Sequence, residues 1–272
     1  MALLPLSPQV FSILSALVTD HCGLTFDAAH MPVFAEKIAA RAAEAGFESL
    51  LDYYYFLRYD AGGADELTAL VETLVVGETY FFRELPPLQT LVSQILAPMV
   101  GAGRRPRVWC AACATGEEPL TVAMLLAARG LLDEVDIVAS DINRVALDRA
   151  RAGAYSRRAV RQELPAFADR WLRATPSGVE VHARLRDAIS WRRINLVDDA
   201  AVGALGTFDA VLCRNVLIYF NDETTREVVA RLSARLVPDG VLLVGVSESL
   251  LRFGGPLICE EKDGTFLYRK PS

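Results

Sequence analysis

The chain has 272 residues, 52% hydrophobic and 23% charged, with a formal net charge of −6. These values describe one large domain or two smaller ones with an ample core; they exclude a disordered or fibrous chain and argue against a general nucleic-acid binder, whose surface is basic. Five cysteines, Cys22, Cys110, Cys113, Cys213 and Cys259, are too few and too scattered for a disulfide framework, and the odd count fits a reducing cytoplasm.

The first nineteen residues carry no charged side chain, yet they lack the basic start of a secretory signal, since the first Lys is Lys37. Ser7-Pro8 followed by Val10, Phe11, Leu14, Leu17 and Val18 instead predicts a capped amphipathic helix. No other stretch has the length and apolarity to span a membrane. Helical patterns follow over 33–45, 47–59 and 64–75, with Gly62-Gly63 as a break. The run Tyr53, Tyr54, Tyr55 and Phe56 reads as core rather than as a ligand site. Residues 1–84 hold four basic and twelve acidic side chains, a net of −8, whereas 85–272 hold 24 and 22, a net of +2. The change falls at Leu85-Pro86-Pro87, which is the predicted boundary between a helical N-terminal domain, 1–84, and a second domain, 85–272.

The second domain alternates. Strands are predicted at 107–111, 135–140, 208–213 and 240–246, with helices at 119–132, 144–152 and 222–236. A terminal hairpin joins 257–260 to 265–269 through Asp263-Gly264. The expected fold class is therefore α/β, with a mostly parallel sheet covered on both faces and an antiparallel hairpin at its edge. Residues 157–193, with nine basic and four acidic side chains, break the alternation and read as an inserted segment. It is either a solvated face or a contact surface for an acidic partner; the sequence does not decide between them.

The chemistry-bearing residues sit where these strands end. Ala111, Ala112, Ala114 and Gly116 leave room for close approach of a ligand after the first strand. Asp141 ends the second strand, 25 residues after Gly116, where a carboxylate can accept from both ribose hydroxyls. There is no Gly-x-Gly-x-x-Gly and no Gly-Lys-Ser/Thr, and Glu117 and Glu118 disfavour a pyrophosphate. A cationic nucleoside such as S-adenosylmethionine suits these residues; a tight strand–helix turn with a solvated Glu pair is the other reading. Cys110 and Cys113 read as buried packing rather than a redox dithiol, and no metal site or nucleophile elbow is expected.

Five motifs follow in order: Thr79-x-Phe-Phe-Arg83, Ala114-Thr-Gly-Glu-Glu-Pro119, Ser140-Asp141-Ile142, Arg214-Asn-Val-Leu-Ile-Tyr-Phe220 and Gly245-x-Ser-Glu-Ser249. Together they resemble the CheR-type protein-glutamate O-methyltransferases of bacterial chemotaxis, over nearly the whole chain and least closely over 1–76. The resemblance implies a small all-α N-terminal domain, a class I S-adenosylmethionine-dependent methyltransferase domain and a small β subdomain inserted at the basic segment. It places Gly77, Thr79, Arg83, Glu118, Asp141, Asn195, Leu196, Arg214 and Asn215 at the cofactor and Tyr219 near the transferred methyl, with Arg83 and Tyr219 as the catalytic pair. Gly77 stands where the family usually has asparagine.

The implied reaction forms a methyl ester on a glutamate of a partner protein, a chemoreceptor or related signalling protein, and leaves S-adenosylhomocysteine. A glutamate is already ionised at neutral pH, its reference pKa being about 4.3, so no general base is needed. A cytoplasmic protein is expected, without nucleic-acid binding or membrane insertion, associating with membranes only through a receptor. Two alternatives remain at this point: a cofactor-sensing or partner-binding homologue without turnover, and an enzyme acting on a small carboxylic acid. The acidic N-terminal region, where Lys37 and Arg41 stand beside Glu36 and Glu44, departs from the basic helix expected for binding an acidic receptor.

Overall fold

The computed structural model describes residues 4–161 and 163–272. They form two compact units: the residues up to Val76 together with Tyr219–Thr224, and Gly77–Ile218 together with Thr225–Ser272.

The first unit is helical. Helix α1 (Pro8–Cys22) starts as its sequence directs: Ser7 Oγ accepts from Val10 N–H at 3.2 Å, proline opens the first turn, and Gly23, at φ 82°, ends the helix in the left-handed conformation. Helices α2 (Met31–Glu44), α3 (Leu50–Tyr59) and α4 (Gly63–Leu74) follow, with Ser49 capping α3. Gly63 is required by packing, since a β-carbon there would lie 2.4 Å from Phe56 O. Leu14, Val18, Phe34, Ile38, Tyr53 and Leu70 are buried together as its core. Of the aromatic run expected as core, only Tyr53 is buried; Tyr55 is 51% exposed, because the helical period turns it to the opposite face.

Both cations of α2 are consumed within the unit. Lys37 Nζ donates to Thr73 O at 2.8 Å and to Leu74 O, satisfying carbonyls at the end of α4. Arg41 Nε donates to Glu66 Oε1 at 2.7 Å, with Nη2 on Oε2, and Tyr53 Oη donates to the same Oε1 at 2.7 Å.

The second unit opens with α5 (Leu85–Thr90), continued through a π-helical turn into α6 (Ala97–Gly101). Then come β1 (Arg107–Ala111), α7 (Glu117–Ala127), β2 (Asp136–Asp141), α8 (Arg144–Ala152), β3 (Ala154–Ser156), β4 (Leu172–Thr175), β5 (Gly178–Val181), α9 (Ala183–Asp187), β6 (Ile189–Arg193), α10 (Asp199–Gly203), β7 (Phe208–Cys213), α11 (Asp222–Ala234), β8 (Leu236–Val244), β9 (Ile258–Lys262) and β10 (Thr265–Arg269). The main sheet runs β6-β2-β1-β7-β8-β10-β9, with β10 and β9 antiparallel and the other five parallel. β3, β5 and β4 make a separate antiparallel sheet. The central strands β1 and β7 are apolar and buried nearly throughout, as strands covered on both faces must be. The expected α/β class, with a hairpin edge and a small inserted β sheet, is the fold observed.

Several sequence expectations move; the last parallel strand, expected at 240–246, runs Leu236–Val244, and the helix before it ends at Ala234 rather than 236. The boundary lies at Gly77 rather than Leu85: Pro86 and Pro87 occupy the first turn of α5, where proline's missing N–H is harmless, and do not form a linker. The first crossover helix begins at Glu117, two residues earlier than predicted, which puts Glu117 and Glu118 in the first turn. The basic segment ends sooner than 193, because Ile189–Arg193 pairs with β2 as the edge strand of the main sheet. Its composition, Ile-Ser-Trp-Arg-Arg, hides it, since an edge strand does not require continuous apolar residues. No described helix is long and apolar enough to cross a membrane.

The Arg41–Glu66–Tyr53 cluster gives the helical unit an acid-sensitive joint. Burial alone raises the Glu66 carboxyl, but the hydrogen bonds from Arg41 and Tyr53 outweigh it and hold it below its ordinary value of 4.5. A carboxyl held low in the folded state adds stability that is complete above its ordinary pKa and is lost as pH falls through the folded value. Glu66→Gln should therefore lower stability by about 2 kcal/mol at neutral pH and flatten the decline of the melting temperature below pH 4.5. Melting curves of both proteins between pH 3 and 7 measure this, and an unchanged acid limb in the variant would contradict the assignment.

Candidate active site at the carboxyl ends of four parallel strands

The predicted residues converge because adjacent parallel strands end side by side. The exits of β6, β2, β1 and β7, neighbours in that order, carry Asn195-Leu196, Asp141, Ala114–Glu118 and Arg214-Asn215. Ligands of open α/β sheets bind at this edge.

The β1 exit is shaped by its backbone. Ala112, Ala114 and Gly116 have φ of 54°, 48° and 90°. Ala114 N donates to Asp141 Oδ2 at 2.7 Å, and Asn143 N donates to Oδ1 at 2.8 Å. Asp141 is thus fixed at the end of β2 by two backbone donors, and a carboxylate oxygen accepts more than one hydrogen bond, as a ligand hydroxyl requires. Gly116 also has a packing task. A β-carbon there would stand 2.7 Å from Ala150 Cβ and 2.9 Å from the Trp191 ring, so its absence lets β1, α8 and β6 close up.

The two glutamates of the motif part company. Glu117 is buried, accepts from Thr115 Oγ1 at 2.7 Å, and is pushed up in pKa by that burial. Glu118 Oε2 accepts from Arg214 Nη1 at 2.6 Å. Arg214, whose side chain is 1% exposed, also donates through Nη2 to Glu84 Oε2 at 2.8 Å and to the carbonyls of Arg83 and Glu84. Burial opposes the guanidinium's charge, but Glu118 and Glu84 outweigh it and hold its pKa above the usual arginine value. Its Nε is buried without a hydrogen-bond partner among the described residues.

Residues 77–84 close one side of this cluster. Phe81 and Phe82 are buried; Phe81 N donates to Ala159 O at 2.9 Å and Phe82 N to Thr121 Oγ1 at 3.2 Å. Arg83 is half-buried, its Nη1 donating to Glu78 O at 3.0 Å. Arg161 of the inserted segment pairs with Glu78 and lies 4.7 Å over the Tyr80 ring, which ties the insertion to this segment. Thr79 is half-buried. Gly77 is exposed, and a β-carbon added there would meet nothing within 4 Å, so the asparagine usual in the family would fit. Tyr219 ends a 3-10 turn after β7 and belongs to the helical unit, its carbonyl accepting from Thr25 N–H at 2.9 Å.

Two residues escaped the sequence reading. Glu84 joins Arg214, Asn215 and Val246; Glu248 Oε2 accepts from Asn215 N and Gly245 N, both at 2.7 Å, and its Oε1 from Ile218 N. Glu248 lies within a recognised motif and Glu84 directly after one, but their partners are up to 162 residues away, so no local pattern carries the signal. The thiols of Cys110, Cys113 and Cys213 are buried and raised by desolvation, which suits packing.

The donor set fits S-adenosylmethionine. A carboxylate at the end of β2 suits a ribose diol, two carboxylates around one guanidinium leave negative charge for a cationic ligand, and the partnerless Arg214 Nε offers a donor to an acceptor atom. Fold and site together define a class I S-adenosylmethionine-dependent methyltransferase. Residues 77–262 match the family model "CheR methyltransferase, SAM binding domain", and residues 9–75 match "CheR methyltransferase, all-alpha domain". The chain belongs to the CheR methyltransferase family. It is 33% identical to Chemotaxis protein methyltransferase 2 of Vibrio cholerae over 85% of this chain and 82% of that one. It is 31% identical to Chemotaxis protein methyltransferase 1 of Pseudomonas aeruginosa over 88% and 90%. Against the Probable biofilm formation methyltransferase WspC of Pseudomonas putida it is 34% identical over 85% of this chain and 55% of the relative. The protein is a methyltransferase with S-adenosylmethionine as its cofactor.

Removing the Asp141 carboxylate should weaken S-adenosylmethionine binding by about tenfold or more, the loss of one charged hydrogen bond. Calorimetric titration of wild type and Asp141→Ala measures it; equal affinities would take Asp141 out of the cofactor site.

Proposed function

We propose that the protein transfers the methyl group to a glutamate carboxylate of a partner protein in a chemotaxis-type signalling pathway, forming a methyl ester. The observation that carries this reading is the chemistry of the strand ends. His21 and His30 belong to the helical unit, and His182 caps α9 by accepting from Arg184 N. Asp141 is held by two backbone N–H groups and Glu118 by Arg214. An acceptor that arrives already deprotonated suits a site whose acids are engaged in this way, and a carboxylate does.

S-adenosylmethionine, when bound, supplies an electrophilic methyl carbon on a positively charged sulfur. The acceptor oxygen forms its bond to that carbon as the carbon–sulfur bond breaks, and the electron pair leaves on sulfur. The opposite charges are consumed together, so a site that excludes water favours the transition state over the separated ions. Orientation in line contributes further, up to roughly 7–11 kcal/mol in favourable systems. In this reading Arg83 orients the incoming carboxylate, Asp141 holds the ribose, Glu118 faces the methionine ammonium, and Asn195, Leu196, Thr79 and Asn215 line the cofactor. The family resemblance assigns Tyr219 a role at the methyl. With Lys37 and Arg41 engaged inside the helical unit, the docking surface for an acidic partner is proposed on the insertion, where Arg158 and Arg170 are exposed.

Incubation of the protein with methyl-labelled cofactor and the cytoplasmic part of a methyl-accepting chemoreceptor tests the reading. Label should appear on the receptor and be released as methanol by mild alkali, as an ester requires; alkali-stable label would assign another acceptor group. Arg83→Ala should lower turnover at least tenfold, and full turnover in that variant would remove the role given to Arg83.

A further inference from the structure

Glu84 holds a conformation that a glutamate backbone resists. Its φ is 47° and ψ 58°, the left-handed region, where a β-carbon crowds the following carbonyl and glycine or asparagine is favoured. A side chain kept in such a place points to work done by that side chain. It reaches three segments at once: Oε2 accepts from Arg214 Nη2 at 2.8 Å and from Val246 N at 3.2 Å, and Oε1 accepts from Asn215 Nδ2 at 3.3 Å. Asn215 is itself left-handed, at φ 59°, and its backbone N–H is taken by Glu248. The residue after Arg214 is thus fixed on one side by Glu248 and on the other by Glu84.

We propose that Glu84 is a positioning residue of the cofactor site: its carboxylate sets Arg214 and Asn215 in place and supplies the excess negative charge of the Glu84–Arg214–Glu118 cluster that favours a cationic cofactor. Burial pushes the Glu118 carboxyl up more than Arg214 pulls it down. Burial also acts on Glu84, but Arg214 and the Val246 N–H outweigh it and keep that carboxyl low. S-adenosylmethionine carries one more positive charge than S-adenosylhomocysteine, on sulfur, and the cluster's excess charge acts on that difference.

The inference rests on the cofactor assignment and is independent of the acceptor, so its test uses binding alone. Wild type, Glu84→Gln and Glu84→Gly are titrated calorimetrically with each of the two ligands, and each protein is melted without ligand. Glycine relieves the left-handed backbone, so Glu84→Gly is the variant whose fold is protected; glutamine keeps the shape and removes the charge. Both variants should bind S-adenosylmethionine about tenfold more weakly, and S-adenosylhomocysteine at most about threefold more weakly; each should still melt in one cooperative transition, at a lower temperature than wild type because Arg214 loses one of its two buried partners. Wild-type affinity for S-adenosylmethionine in either folded variant overturns the proposal. Equal losses for both ligands overturn its electrostatic part and leave a packing role. Failure of the glutamate-ester assay would change neither result.

Discussion

The guanidinium of Arg214 is the contact on which the active centre depends. It stands at the end of β7 with its side chain 1% exposed, and it is the common partner of Glu118, in the first turn of the helix after β1, and of Glu84, at the end of the segment that precedes the first helix of the unit. A buried cation of this kind is tolerated only when paired and hydrogen-bonded. The requirement forces three stretches far apart in sequence into one place, at the ends of the strands where the cofactor site is proposed. The Arg214 Nε alone among the guanidinium nitrogens is left without a hydrogen-bond partner among the described residues.

Around that contact the fold supplies the rest through strand order. Because β6, β2, β1 and β7 are neighbours and parallel, their carboxyl ends bring Asn195, Asp141, Ala114–Glu118 and Asn215 together without any loop having to travel far. The rigidity is backbone-made: two N–H groups hold Asp141 and three hold Glu248, so the carboxylates that shape the site are positioned by the sheet rather than by mobile side chains. The inserted sheet is joined to this machinery. Phe81 N–H on Ala159 O, the Phe81–Tyr155 ring contact at 4.9 Å and the Arg161–Glu78 pair bind it to the segment carrying Arg83.

The helical unit separates charge from availability. Its sequence shows two cations on α2, and the structure assigns both to internal work, Lys37 on the end of α4 and Arg41 on Glu66. Outward, α3 presents Tyr55 and Tyr59 with Asp52 and Arg58.

Much of this protein was legible in its residues alone. Apolar runs marked β1, β2 and β7 to within a residue because buried parallel strands leave little choice of side chain, and Ser7-Pro8 announced α1 because capping is local chemistry. Five motifs in order pointed to the cofactor class through their resemblance to a known family, since each motif is a run of consecutive residues. Tertiary structure decided what depends on residues far apart. It placed the unit boundary at Gly77, since Pro86 and Pro87 serve equally as linker or helix start until the chain is packed. It enlisted Ile189–Arg193 into the main sheet, which an edge strand's mixed composition conceals. It divided Glu117 from Glu118, gave Gly116 to the Trp191 ring, and brought Glu84 to partners as far as 162 residues away and Glu248 to one 33 away. Local propensity and pattern are properties of a few consecutive residues and can be read from them; the pairing of a buried charge is a property of the closed chain, and only folding chooses the partner.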